Sequence, residues 1–325
     1  MAAGFVAPLS AARSGQPADR APLQLEAKIP LGDVAGRIDH LAVDRERQRL
    51  FVAELGNDSV GIIDLKNHKL IRRITGLGEP QGVGYVQSTD TLYVANARDG
   101  SVRLFQGYDY QPAGRIELGE DADNVRIDPA GRQIFVGYGG GGLAVIDPVN
   151  RQKVGEIQLK GHPESFQLDR LSQRIFVNVP DAGAIAVVDR AKGRETASWP
   201  TLGARSNFPM TIDENSSQVL VVFRHPAKLS AFSMRDGALV WSAPVCNDSD
   251  DLFVDAKRQR VYLSCGQGFL DVFERGSSAF RRIAQLATVA GARTSLFIPE
   301  LDRLAVAIRA TRDEPAAIWI YRPRP

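Results

Sequence analysis

Cysteine is nearly absent from this chain: there are two, Cys246 and Cys265, in 325 residues. So low a count excludes a small disulfide-stapled fold and a multi-cysteine zinc module. An excess of charge of either sign is also missing. Lys and Arg number 40 against 38 Asp and Glu, a formal net charge of +2. Neither nucleic acid nor an anionic membrane surface therefore has an electrostatic reason to be the partner. No apolar run approaches the ~20 residues that a membrane-spanning helix needs. No nucleophile elbow is present, so no Ser–His–Asp set can be argued. The one glycine cluster, Gly139–Gly142, is followed by no Lys-Ser/Thr pair and is not a phosphate loop.

What the chain does have is a repeat. A short apolar strand ending in Asp or another turn-forming residue returns seven times, at Asp44, Tyr85, Asp128, Asp169, Asp213, Asp255 and Pro299, with intervals of 41 to 44 residues. In the first unit, Leu41–Asp44, Leu50–Ala53, Val60–Asp64 and Leu70–Ile74 read as strands separated by polar or glycine-containing turns. The second strand of each later unit, such as Thr91–Asn96 or Arg260–Ser264, is continuously apolar. That pattern suits a strand covered on both faces. Repeats of this length predict an all-β, seven-bladed β-propeller of four-stranded antiparallel blades, one domain over 23–325. Trp199 and Trp241, one period apart, fit equivalent packing on outer strands.

The last unit stops after its third strand, Ala317–Tyr321, while an unassigned strand candidate, Leu23–Pro30, precedes the first. The expectation is that this N-terminal strand completes the last blade and closes the ring. Residues 1–22 read as a disordered tail or as the remnant of an export signal whose positively charged start is missing.

Tyr93-Val94-Ala95-Asn96 and the pattern Asp58-Ser59-Val60-Gly61-Ile62-Ile63-Asp64 resemble the YVTN family of β-propellers. The resemblance runs over roughly residues 23–321. It departs at Phe223-Arg224-His225-Pro226 and at Ile308-Arg309-Ala310-Thr311, where the Asn-rich turn is replaced. It implies a periplasmic or secreted location. It is poorly specific for activity, since related propellers include lyases and lactonases that use a metal on one face. Cys246 and Cys265 lie in one repeat, and the hairpin between them folds both toward one end of the blade, so a disulfide is geometrically reasonable. Free thiols in a cytoplasmic protein are the competing reading.

In a propeller the loops entering each inner strand converge at the axis on one face. Here those loops supply the candidate ligand-binding residues Asp39, His40, Glu79, Gln81, Asp123, Asn124, His162, Glu164, Asn207, Asp250 and Arg293, and the second-strand exit adds Arg224. A ring of acids around a narrow mouth repels itself unless something positive sits there. A divalent cation such as Ca²⁺, the arginines Arg37, Arg126, Arg205, Arg224 and Arg293, or a cationic or polar ligand are the three answers. Structural roles compete with all of them, because Asp and Asn before a strand often satisfy loop donors. No catalytic residue and no metal-ligand motif is assigned. The expectation is an extracytoplasmic module that binds a small polar ligand or a partner protein. The alternative is a metal-assisted lyase or lactonase-like enzyme on the same face, with His40 or His162 as its acid or base.

Overall fold

A computed structural model describes residues 21–325. The expectation for residues 1–22 falls almost wholly outside that range. Seven four-stranded antiparallel sheets stand in a ring. Blade 1 is made of Leu41–Asp44, Arg49–Glu54, Ser59–Asp64 and Lys69–Thr75, in spatial order from the axis outward. The innermost strands of blades 2 to 7 are Pro80–Val86, Ala122–Ile127, Phe166–Leu168, Arg205–Asp213, Ser249–Asp255 and Ser295–Ile298.

The second strand of each blade shows why the ring holds. Arg49–Glu54 and Thr91–Asn96 are buried at every position. Successive side chains of a strand point to opposite faces, so one strand serves two interfaces. Leu50 and Val52 pack with Ile298, Ala305 and Ile318 of blade 7. Phe51 and Ala53 pack with Tyr85, Leu92 and Val94 of blade 2. Tyr93 and Ala95 in turn face Val125 and Val136 of blade 3. The outermost strand, by contrast, is solvated; Lys69–Thr75 buries only Ile74. Trp199 and Trp241 do lie on such strands, the former 5.2 Å from Phe176 and the latter 5.7 Å from Phe280.

The repeated aspartates fold the turn between the first and second strands. Asp44 accepts from the backbone N–H of Glu46 and Arg47, Asp128 from Ala130 and Arg132, and Asp255 from Arg258. Two of these turns also bind the next blade. Arg47 bridges Asp44 to Asp90, and Arg258 bridges Asp255 to Asp302. The Gly139–Gly142 segment is a hairpin turn in which Gly139 has φ 54°, a conformation that favours glycine. Cys246, just before the strand Ser249–Asp255, and Cys265, at the end of Arg260–Cys265, form a disulfide with their Cα atoms 5.9 Å apart.

The N-terminal strand Leu23–Pro30 pairs antiparallel with Ala317–Pro323 and completes blade 7. Lys28 lies 4.0 Å above Trp319, and Glu26 is paired with Arg303 and Arg322. Leu23, Ile29 and Leu31 are at most 1% exposed. Removing residues 21–31 forfeits about 6 kcal/mol of apolar burial, at about 2 kcal/mol per side chain. It also bares a sheet edge. Thermal denaturation of that truncation is expected to show a midpoint lower by about 10 °C or more; an unchanged midpoint contradicts closure by this strand.

Candidate functional site

The loops entering the innermost strands all open at one end of the axis. There they enclose a cavity of about 420 Å³. Every blade contributes to its wall. Arg37, Asp39 and His40 come from blade 1, Glu79 and Gln81 from blade 2, and Asp121 and Asp123 from blade 3. His162 and Glu164 come from blade 4, Phe208 and Arg224 from blade 5, Asp250 from blade 6 and Arg293 from blade 7. Ten of the twelve residues singled out in the sequence meet here.

Asn124 and Asn207 do not reach the cavity. Asn124 is buried and lies off the wall. Asn207 donates to the Asn178 side chain at 3.1 Å and to the Ala184 carbonyl at 3.0 Å, which ties blade 5 to blade 4. Arg205 also lies off the wall. Arg126 sits on an innermost strand and faces the opposite opening of the axial channel, with its guanidinium 5.7 Å from the Phe166 ring. Bulges set these directions. The register slips between Pro80 and Val83, Ala122 and Val125, Asn207 and Met210, and Ser249 and Asp251, all at the cavity end of inner strands. A bulge re-aims the side chains around it, so simple alternation does not forecast which residue faces the axis.

Most cavity cations already have partners. Arg37 donates to Asp39 at 2.8 Å. Arg224 and Arg293 both hold Asp250, each at 2.9 Å, and Arg224 stacks over the Phe208 ring at 4.1 Å. His40 lies 3.6 Å from Asp251, whose other oxygen accepts from the Ser295 backbone N–H of blade 7. The Nδ1 of His162 is 2.7 Å from the Gly139 carbonyl and its Nε2 is 3.8 Å from Asp123. Outside the rim, Arg98 binds Glu79 and Asp58.

Two acceptors are left over. Asp123 is 6% exposed and its Oδ1 is buried without a hydrogen-bond partner. The Glu164 carboxyl lines the cavity with no hydrogen bond or ion pair among the described residues.

The arrangement is polarised across its diameter. Arg224, Arg293 and Arg37 stand on blades 5, 7 and 1, while Glu79, Asp121, Asp123 and Glu164 stand on blades 2 to 4. The titration of the groups follows. Burial, with Asp123 and Asp250 nearby, pushes the Glu164 carboxyl up to about 8. Burial raises Asp39 to about 6, partly offset by the charge of His40. Burial disfavours the charged form of both histidines, but carboxylates outweigh it. Asp251 and Asp39 hold His40 up to about 10, and Asp123 and Asp121 hold His162 up to about 9. Asp123, despite its burial, is held below the usual carboxylate range by His162 and His40.

Among the described residues no group of three or more His, Cys, Asp or Glu converges in a way that fits a metal ion. No trio of oxygen donors is therefore in place for Ca²⁺ among the described residues.

The fold recurs widely. A chain of Kuenenia stuttgartiensis hydrazine synthase superposes with a TM-score of 0.79 at 15% identity, over 89% of this chain and 96% of that one. A chain of the mitotic checkpoint complex gives 0.77 at 12% identity, over 98% of each. At such identities the likeness is one of fold alone. No family model matches the sequence, and no curated protein matches it.

The four groups displaced upward, Glu164, Asp39, His40 and His162, keep their protons to a higher pH in the folded chain than in the unfolded one. The histidines therefore contribute stability that is full below about pH 6.5 and lost as pH rises through about 9 and about 10. The two carboxyls add a penalty that grows from the ordinary carboxylate range up to about 6 and about 8. Glu164→Gln removes the larger of these penalties. Its melting temperature is expected to exceed that of the wild type by more at pH 9 than at pH 5; a difference independent of pH contradicts the assignment.

Proposed function

We propose that this propeller is a binding module which takes a small, strongly polar ligand into the axial cavity. The observation that carries the reading is the convergence of charged side chains from all seven blades on one space of about 420 Å³. That volume lies within the usual range for small-molecule sites. Convergence from separate chain segments also gives a preorganised set of donors and acceptors, since each is fixed by its own sheet.

A partner protein is the less favoured occupant. Large exposed apolar side chains such as Tyr108, Val149 and Leu171 are scattered over different blades and do not gather at the rim. A metal-assisted lyase or lactonase finds no support in the donor arrangement. Our reading puts the chain in an oxidising compartment, periplasmic or secreted. The buried Cys246–Cys265 disulfide favours this. No helix among the described residues is long and apolar enough to cross a membrane.

A fragment screen by ligand-observed NMR tests the reading. Polar fragments are expected to bind the wild type and to lose at least tenfold in affinity with Asp39→Asn combined with Arg224→Ala. Fragments that bind the double variant equally well place the ligand elsewhere.

A further inference from the structure

We infer that the ligand of the axial cavity carries a protonated amine, which docks on the blade 3–4 side beside Glu164 and Asp123. This inference rests on the binding role proposed for the cavity and names the chemistry of its ligand.

The geometry points to it by elimination. Every other ionised group on the wall has a counter-ion in reach. Arg37 has Asp39, Arg224 and Arg293 share Asp250, and Glu79 has Arg98. His40 lies between Asp39 and Asp251, and His162 between Asp121 and Asp123. What remains without a partner is the Glu164 carboxyl on the cavity wall and the buried Oδ1 of Asp123. A buried acceptor without a donor costs on the order of 1–3 kcal/mol. A primary ammonium has three N–H donors and no acceptor, so it suits the acid-rich side of the wall and offers nothing to the arginines. An anion would face Asp121 and Asp123 and could not draw the proton off Glu164. A neutral polyol would satisfy hydrogen bonds and likewise leave Glu164 protonated. A bare divalent ion finds no convergent donor set.

Glu164 is faced from several sides. Asp123 acts on it from blade 3, Asp250 from blade 6 and His40 from blade 1, and Asp121 of blade 3 shares the wall. His162 belongs to its own loop, and Arg126 lies below, against Ser165. Burial, and after it the charges of Asp123 and Asp250 against those of the histidines, keep Glu164 protonated up to about pH 8. A cation arriving there reverses the balance. The Glu164 proton leaves to solvent as the ammonium N–H bonds form, so binding and ionisation are linked. The arginines on the far side leave room for a ligand whose other end is polar or anionic.

The test is isothermal titration of the full chain with ethanolamine, with ethylene glycol and acetate as neutral and anionic comparators. Each is measured between pH 5.5 and 8.5 in two buffers of different ionisation enthalpy. Ethanolamine stays protonated across this range. Its affinity is expected to rise at least tenfold from pH 5.5 to 8.5, with release of close to one proton near pH 6.5. Glu164→Gln is expected to abolish both effects, and Asp123→Asn to weaken binding at least tenfold, each with a cooperative melting transition retained. Comparators that bind as tightly as the amine overturn the inference and leave the cavity as a site for another polar ligand. Amine binding that is independent of pH, or unchanged in both variants, overturns it as well. Failure of every probe at 100 mM overturns the inference, and the cavity's binding role is then judged by the fragment screen alone.

Discussion

Ring closure governs this molecule, because no blade can cover its own two faces. Phe51 and Leu50 are adjacent in sequence and point to different neighbours, one to blade 2 and one to blade 7. The same division recurs at Leu92 and Tyr93. Each second strand is thus the shared core of two interfaces, and a gap anywhere in the circle would expose apolar surface on both sides of it. The pairing of Leu23–Pro30 with Ala317–Pro323 removes the last such gap. It joins the two ends of the chain across the blade where the ring would otherwise be open.

Closure also explains why the axial cavity is charged. Stacking the sheets brings seven polar loops into one small space, although they are about 40 residues apart in the chain. Arginine and aspartate from different blades then meet as partners: Arg224 of blade 5 and Arg293 of blade 7 both reach Asp250 of blade 6. Asp251 joins three blades, with its backbone on blade 6, His40 of blade 1 beside it and the Ser295 N–H of blade 7 bound to it. These links fix the rim. They use the cations of one half of the circle and leave the blade 3–4 side short of positive charge.

Most of the architecture was legible in the sequence. The 41-to-44-residue period and the apolar second strands sufficed for the blade number, and the unmatched strands at the two ends sufficed for the closure. The aspartates at 44, 128 and 255 announced their turns, because a side-chain oxygen two or three residues before a backbone N–H has few other uses. The site was legible in position more than in detail. Counting loops located Asp39, His162, Glu164 and Arg293 at the mouth. It did not separate Asp123 from Asn124, which are adjacent, because the bulge between Ala122 and Val125 decides which of them faces the axis. Nor did it find that Asn207 is spent on Asn178, or that Arg126 faces the other opening. Pairing across blades depends on distances that no local pattern encodes. Asp121 and Phe208 stood in the right loops, and nothing in their own sequence context marked them as wall residues.

Closure buries the Glu164 carboxyl at one side of the mouth, among carboxylates that the chain's own cations do not fully answer. Carbon-13 NMR of protein labelled at the glutamate side-chain carboxyl reads the combined effect, with the Glu164 resonance assigned as the one missing in Glu164→Gln. A midpoint close to 8 is expected for that carboxyl. A midpoint in the ordinary glutamate range, about 4.3, would contradict it.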